Sequence, residues 1–491
     1  MHEPFIPSEE FQELNEWANP QSRILSREQC EEVNRTIQRI PTEGGETSAF
    51  IVSWWNGELR WARNRVNMAT DRRDTLVYLK RRIRGAEGTA VTNQLDSASI
   101  EAAIREAERI ARIGRTRPEP FHVPKPAPEY LNTITWSAST FDSSAAERQR
   151  LLTGMIEPAE RAGMLTAGYI EVRAQSGALI GHEITQSELL YAQLTQAQCS
   201  LTVRTPDGTG SGWAGRSSFA WSKIDAKQLA ETALNKCILS QNPVRIEPGR
   251  YTVILEPQAV HDLATVIIDA LDRKPPERDG FGPFALDFDQ ALGLWRSKLG
   301  LRIIDERITI DHDPLVEDLT TLPFDTNLLN ASFGEAFRRV TWIDRGVLTT
   351  LSHGRRYALM SRNENIGAPN SKAFRMSGGS TSIEAMIEGT RRGLLVTRLS
   401  NLMVLDPLSL QSTATTRDGL WLIENGKITR AVRNMRITES PLFVFNQIEA
   451  IGPAVPVFNP VKLPHIPKLT PAIVPSIKAR DFSFTATSDA I

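Results

Sequence analysis

The chain has 491 residues, 41% hydrophobic and 23% charged, with a formal net charge of −1. That length allows two or more domains with cores of their own, and the near-neutral balance excludes a global field for nucleic acid or anionic membrane. Three widely spaced cysteines, Cys30, Cys199 and Cys237, exclude a disulfide framework and a zinc ribbon, and they suit a reducing compartment.

The amino end, residues 1–17, has neither a basic start nor an apolar stretch, so it does not read as a secretory signal. No window approaches the roughly 18 apolar residues of a membrane span, and a cytoplasmic protein is expected. Ser26-Arg-Glu-Gln29 is a capping-box pattern opening a helix to about Ile40. Glu46–Trp54, Glu58–Asn64 and Thr75–Ile83 read as strands, with Asn56-Gly57 as a hairpin turn between the first two. Asp96 caps a helix striped by Ile100, Ala103, Ile104, Ala107 and Ala111, and Gly114 closes it. Residues 114–130 hold five prolines and predict an extended loop.

A second round follows: a helix over Ala145–Ala162 kinked near Pro158, strands at Gly168–Ala174, Ala178–Thr185, Leu189–Leu194 and Cys199–Thr205, and a helix from Asp225 to Leu239. Leu76–Leu79 corresponds to Ser200–Val203, and Leu95-Asp96 to Ile224-Asp225. Residues 1–240 therefore read as one duplicated strands-plus-helix domain. Strands grouped before a helix, rather than alternating with helices, predict an α+β fold.

Gln241–Pro243 and Glu247–Gly249 mark a boundary to a second, β-rich domain over residues 241–455. Its predicted strands are Thr252–Leu255, Arg307–Asp311, Arg339–Asp344, Gly393–Leu399, Gly419–Glu424 and Lys427–Val432, the last two joined by Asn425-Gly426. Thr381–Glu384 reads as a capping box for a helix that Gly393 ends. Residues 456–491 read as a proline-rich tail along the surface or reaching a partner.

The stretch from Glu247 to Asp272 organises the second domain. Tyr251–Leu255 is a strand, and Pro257 has the preset φ of a first helical position. Val260, Leu263, Ala264, Ile267, Ile268 and Leu271 then make one apolar helix face, leaving His261, Asp262, Thr265 and Asp269 on the other. A metallopeptidase helix carries two His four or five residues apart with a Glu beside the first. Here His261-Asp262 begins that pattern, but Thr265 and Val266 stand where the second imidazole belongs. His261 therefore reads as a lone surface His.

Other constellations read blandly too. Gly208, Gly210, Gly212 and Gly215 lack the Lys-Ser/Thr of a phosphate loop and suit a hairpin. Asp311-His312-Asp313, near Asp305, Glu306, Glu317 and Asp318, has hard-metal residue types but Pro314 in place of a turning Gly, and reads as a solvated strand end. The basic run Arg72, Arg73, Lys80, Arg81, Arg82 and Arg84 puts Lys80, Arg82 and Arg84 on one solvated strand face. His182-Glu183 has Gln186 and Ser187 where a second His would stand.

Several long stretches resemble the TldD/PmbA family, also called TldE or modulator of DNA gyrase. They are Asp207–Trp221, Ser240–Val260, Gly378–Leu399 and Arg417–Ser440. The family's TldD-type chains carry a His-Glu-x-x-x-His helix and a later Cys as zinc ligands, and PmbA/TldE-type chains lack them and pair with the TldD type. Only His261 matches, and no Cys follows Cys237, so this chain resembles the PmbA/TldE type. The resemblance implies the zinc-less subunit of a peptidase complex acting on unfolded peptides, with no catalytic residue, metal ligand or cofactor here and zinc expected in the partner. The expected partner is a TldD-like subunit or a second copy, with an unfolded peptide as substrate and neither membrane nor nucleic acid. A homodimeric binding or scaffold protein is the alternative. A hydrolase with a divergent site at His261, Asp262 or residues 311–313 is a third.

Overall fold

A computed structural model describes residues 23–42, 44–114, 129–181, 189–291, 293–326, 334–354, 357–358, 367–460 and 468–488. His182-Glu183 and most of the proline-rich stretch 114–130 lie outside the described residues. The fold is α+β. No helix among the described residues is long and apolar enough to cross a membrane.

Two runs of elements in the same order build the first sheet. One is α1 (Arg27–Arg39), β1 (Glu46–Ala62), β2 (Arg65–Ile83), β3 (Ala86–Thr92) and α2 (Ser97–Ile113). The other is α3 (Ala145–Arg161), β4 (Leu165–Ile180), β5 (Leu190–Arg204), β6 (Ser211–Ser218) and α4 (Ala226–Leu239). The strands lie in the order β3-β2-β1-β4-β5-β6, every neighbour antiparallel. The first strand of each run thus meets the other at the centre.

Period-two alternation sets the faces. Ile170, Val172 and Ala174 of β4 pack with Met155 of α3 and Ala233 of α4, and Glu171, Arg173 and Gln175 take the opposite face. The helices approach very closely where a glycine allows it. A Cβ on Gly88 would lie 2.1 Å from the Ala107 carbonyl oxygen of α2, and one on Gly212 2.1 Å from that of Ala233 in α4. The glycine-rich stretch is therefore a strand edge fitted to a helix backbone.

Strands β1, β4 and β5 are each one long strand where the sequence predicts two. Asn56-Gly57 lies inside β1, and the turn falls at Arg63-Asn64, with φ of 51° and 62°. Gly57 serves packing: a Cβ there would stand 2.4 Å from the Arg148 guanidinium.

The second sheet has 11 strands. In chain order these elements are β7 (Gly249–Leu255), α5 (Pro257–Asp269), a separate pair β8 (Ala285–Asp289) and β9 (Leu294–Ser297), β10 (Ile310–His312), β11 (Val340–Asp344), β12 (Val347–Leu348) and β13 (Phe374–Met376). Then come α6 (Ile383–Glu388), β14 (Arg392–Asp406), β15 (Gln411–Glu424), β16 (Lys427–Ala431), β17 (Met435–Glu439), β18 (Ile448–Pro456) and β19 (Ala472–Thr487). The β15–β16 hairpin turns at Asn425-Gly426, both with positive φ, as the sequence predicts. The path β19-β17-β15-β14-β7 returns to β19, because β7 pairs with β14 on one edge and β19 on the other. Helix α5 packs on β14 and β19.

Two expectations fail here. Helix α6 is capped by Ser382, whose side chain accepts from the Ala385 N–H, and ends at Gly389. Gly393 instead pairs in the sheet with Thr252 and Ile423. The larger failure is the surface tail: β19 lies in the middle of the sheet, with Val474, Ile477 and Ala479 fully buried. Pro471 and Pro475 hide a strand whose alternation becomes legible only from Ile477 onward, and Pro475 pairs with Ala454 beside an irregular step in the register.

Candidate functional site

Helix α5 starts at Pro257, where the missing N–H costs nothing. Its apolar face is as predicted: Val260, Leu263, Ala264 and Ile267 are fully buried. The opposite face is only partly solvent: Asp269 is exposed, Asp262 and Thr265 are half-buried, and His261 is buried. His261 is 5% exposed, and its ring stacks on Phe374 of β13, with centroids 5.9 Å apart and planes 7° from parallel. Gln258 Nε2 and Thr265 Oγ1 each lie 3.4 Å from one imidazole nitrogen. Asp262 Oδ2 accepts the Leu399 N–H at 2.9 Å and Oδ1 accepts Gln258 Nε2 at 3.2 Å, which ties α5 to β14.

These residues do not fit zinc. They offer one stacked imidazole and one carboxylate already engaged by an amide, where a catalytic centre takes three protein ligands. Among the described residues no group of three or more His, Cys, Asp or Glu could hold a metal ion. The stacking also changes the expected cost of His261→Ala. A surface change costs within about 0.5 kcal/mol, whereas emptying this buried place should cost about 2 kcal/mol. Urea unfolding measures it, and a loss below about 0.5 kcal/mol would mean that the ring is not packed.

Asp311, His312 and Asp313 are dispersed into separate structural roles. Asp311 receives Arg375 through two hydrogen bonds of 3.0 and 2.7 Å, and Asp313 receives Arg339, with Nε at 2.8 Å. His312 is 1% exposed, not part of a solvated turn, and its nitrogens lie 3.2 Å from the Leu319 carbonyl and 3.2 Å from Ser371 Oγ. Burial pushes its pKa down to about 4.

A folded-state value below the unfolded one gives stability that is present above about pH 6.5 and lost as pH falls toward about 4. Urea unfolding at about pH 7 and about pH 5 should therefore differ by about 2 kcal/mol more in the wild type than in His312→Gln. Equal pH dependence in the two proteins would remove His312 from that role.

Half of the basic run is engaged in ion pairs, while Arg72, Arg73 and Arg84 are exposed. Arg81 is fully buried and pairs with Glu108 at 3.3 Å, and Lys80 and Arg82 bind Glu87 at 3.1 and 2.7 Å.

Two features that periodicity does not reveal join the sheets. The first is a latch. Ser211 Oγ of β6 donates to Asp418 Oδ1 at 2.6 Å, and Asp418 Oδ2 accepts Nε and Nη2 of Arg398, with Nε at 2.9 Å. The Arg398 guanidinium lies 4.6 Å from the Trp213 ring centroid, completing a loop back to β6.

The second is the segment 456–459. Phe458 exchanges two hydrogen bonds with the Gln258 amide, at 3.1 and 3.2 Å, beside His261. On its other side Arg216 Nη1 of β6 donates to the Pro456 carbonyl at 2.5 Å, and Asn459 N–H to Ser217 Oγ at 3.0 Å. Between β6, this segment, residues 469–472 and residues 317–320 opens a cleft of about 440 Å³, its solvent-filled mouth included. Gln196 and Thr320 form part of its wall. The sequence does not announce it: the face of β5 that begins with Leu190, Ala192 and Leu194 simply turns polar from Gln196 through Gln198, Ser200 and Thr202.

Residues 248–486 match the family model described as the PmbA/TldA metallopeptidase C-terminal domain. No curated protein matches the chain. Three solved structures share the fold. A Thermotoga maritima protein described as a modulator of a DNA gyrase aligns over 93% of this chain and 100% of its own, with TM-score 0.75 and 18% identity. TldE from Thermococcus kodakarensis aligns over 93% and 99%, with TM-score 0.74 and 15% identity. A Bacteroides thetaiotaomicron protein, also described as a modulator of DNA gyrase, aligns over 94% and 99%, with TM-score 0.72 and 17% identity.

Proposed function

Since the chain belongs to the TldD/PmbA family, its C-terminal half carrying the match, we propose that it is the zinc-less subunit of a TldD/TldE-type metallopeptidase complex. The observation that carries this reading is helix α5. Where a peptidase would present two imidazoles and a general base, this chain presents His261 stacked on Phe374 and Asp262 engaged by the Leu399 amide. That arrangement contributes packing, not a metal-activated water. The zinc and the base then belong to a partner of the TldD type. This subunit completes the chamber and helps to hold an unfolded peptide, in the cytoplasm.

Holding an extended chain with little sequence preference needs main-chain recognition. A strand at a sheet edge supplies it, and β6 is such an edge.

Co-expression with the zinc-bearing paralogue, followed by cleavage of an unfolded peptide, tests the proposal. Cleavage is expected from the pair and not from this chain alone. In the assembled pair, His261→Ala is expected to leave turnover nearly unchanged once assembly is confirmed by gel filtration. A fall of two or more orders of magnitude in a folded, assembled complex would make His261 catalytic and overturn the reading. A stable homodimer that ignores the paralogue would instead make the chain a homodimeric binding protein.

A further inference from the structure

We draw no further inference here: the strongest candidate, the exposed apolar tip of the β14–β15 hairpin at Met403, Val404, Leu405 and Leu408, carries none because nothing in the structure shows what covers it.

Discussion

Leu263→Asp is expected to yield no folded protein. Leu263 is fully buried on α5, within the cluster that includes Val253, Trp342, Leu394 and Ile477. None of those side chains carries a positive charge that could neutralise a carboxylate. Removing one partner of a buried ion pair already costs about 3–5 kcal/mol, and a new charge with no partner at all is at least as unfavourable. Domains are typically stable by about 5–15 kcal/mol in total, so a loss of this size removes most of the folded population. Circular dichroism and gel filtration of Leu263→Asp beside Leu263→Met make the test. The Met variant conserves volume and should lose less than about 1.5 kcal/mol. A soluble Asp variant melting near wild type would show that α5 does not face this core.

The second large effect is expected at Asp418. It is 1% exposed and receives Ser211 and Arg398. Asp418→Ala leaves the Arg398 guanidinium without its carboxylate and Ser211 without its acceptor. A loss of about 3–5 kcal/mol follows from breaking a buried pair on one side. Because Ser211 lies on the first sheet and Asp418 on the second, the damage should also be visible as loss of coupling. Calorimetry is expected to split one unfolding transition into two. A loss below about 1 kcal/mol with a single transition would assign the joining of the sheets to other contacts.

The sequence was most informative where a local rule and the tertiary structure agree. Asp96 and Asp225 cap their helices through side-chain contacts to Ser99 and Gln228, and the apolar face of α5 is buried as its spacing requires. It misled where a residue serves a distant neighbour. Gly57 reads as a turn, yet it makes room for Arg148, some ninety residues further along the chain. His261 reads as a surface residue because nothing local announces Phe374, which covers it from another strand. The cleft was illegible for the same reason. Its walls come from β5, β6, a 3-10 turn at Glu317–Leu319 and two segments near the end of the sequence, and no window of periodicity spans them.

The position of β19 has a consequence for how the molecule is made. Strand β7 leaves the ribosome early, but one of its two neighbours, β19, follows only after some two hundred further residues. Until then the β7 edge stays open and α5 lacks part of the surface it covers. The first sheet, whose strands all precede Gly249, can assemble meanwhile. The second must wait for a long-range closure, the slow kind of step in folding. Nascent chains stalled before Ala472 should therefore carry a folded first half and a second half that engages chaperones. A stop before Ala472 would then remove the strand that closes the ring, rather than trim an ornament from the surface.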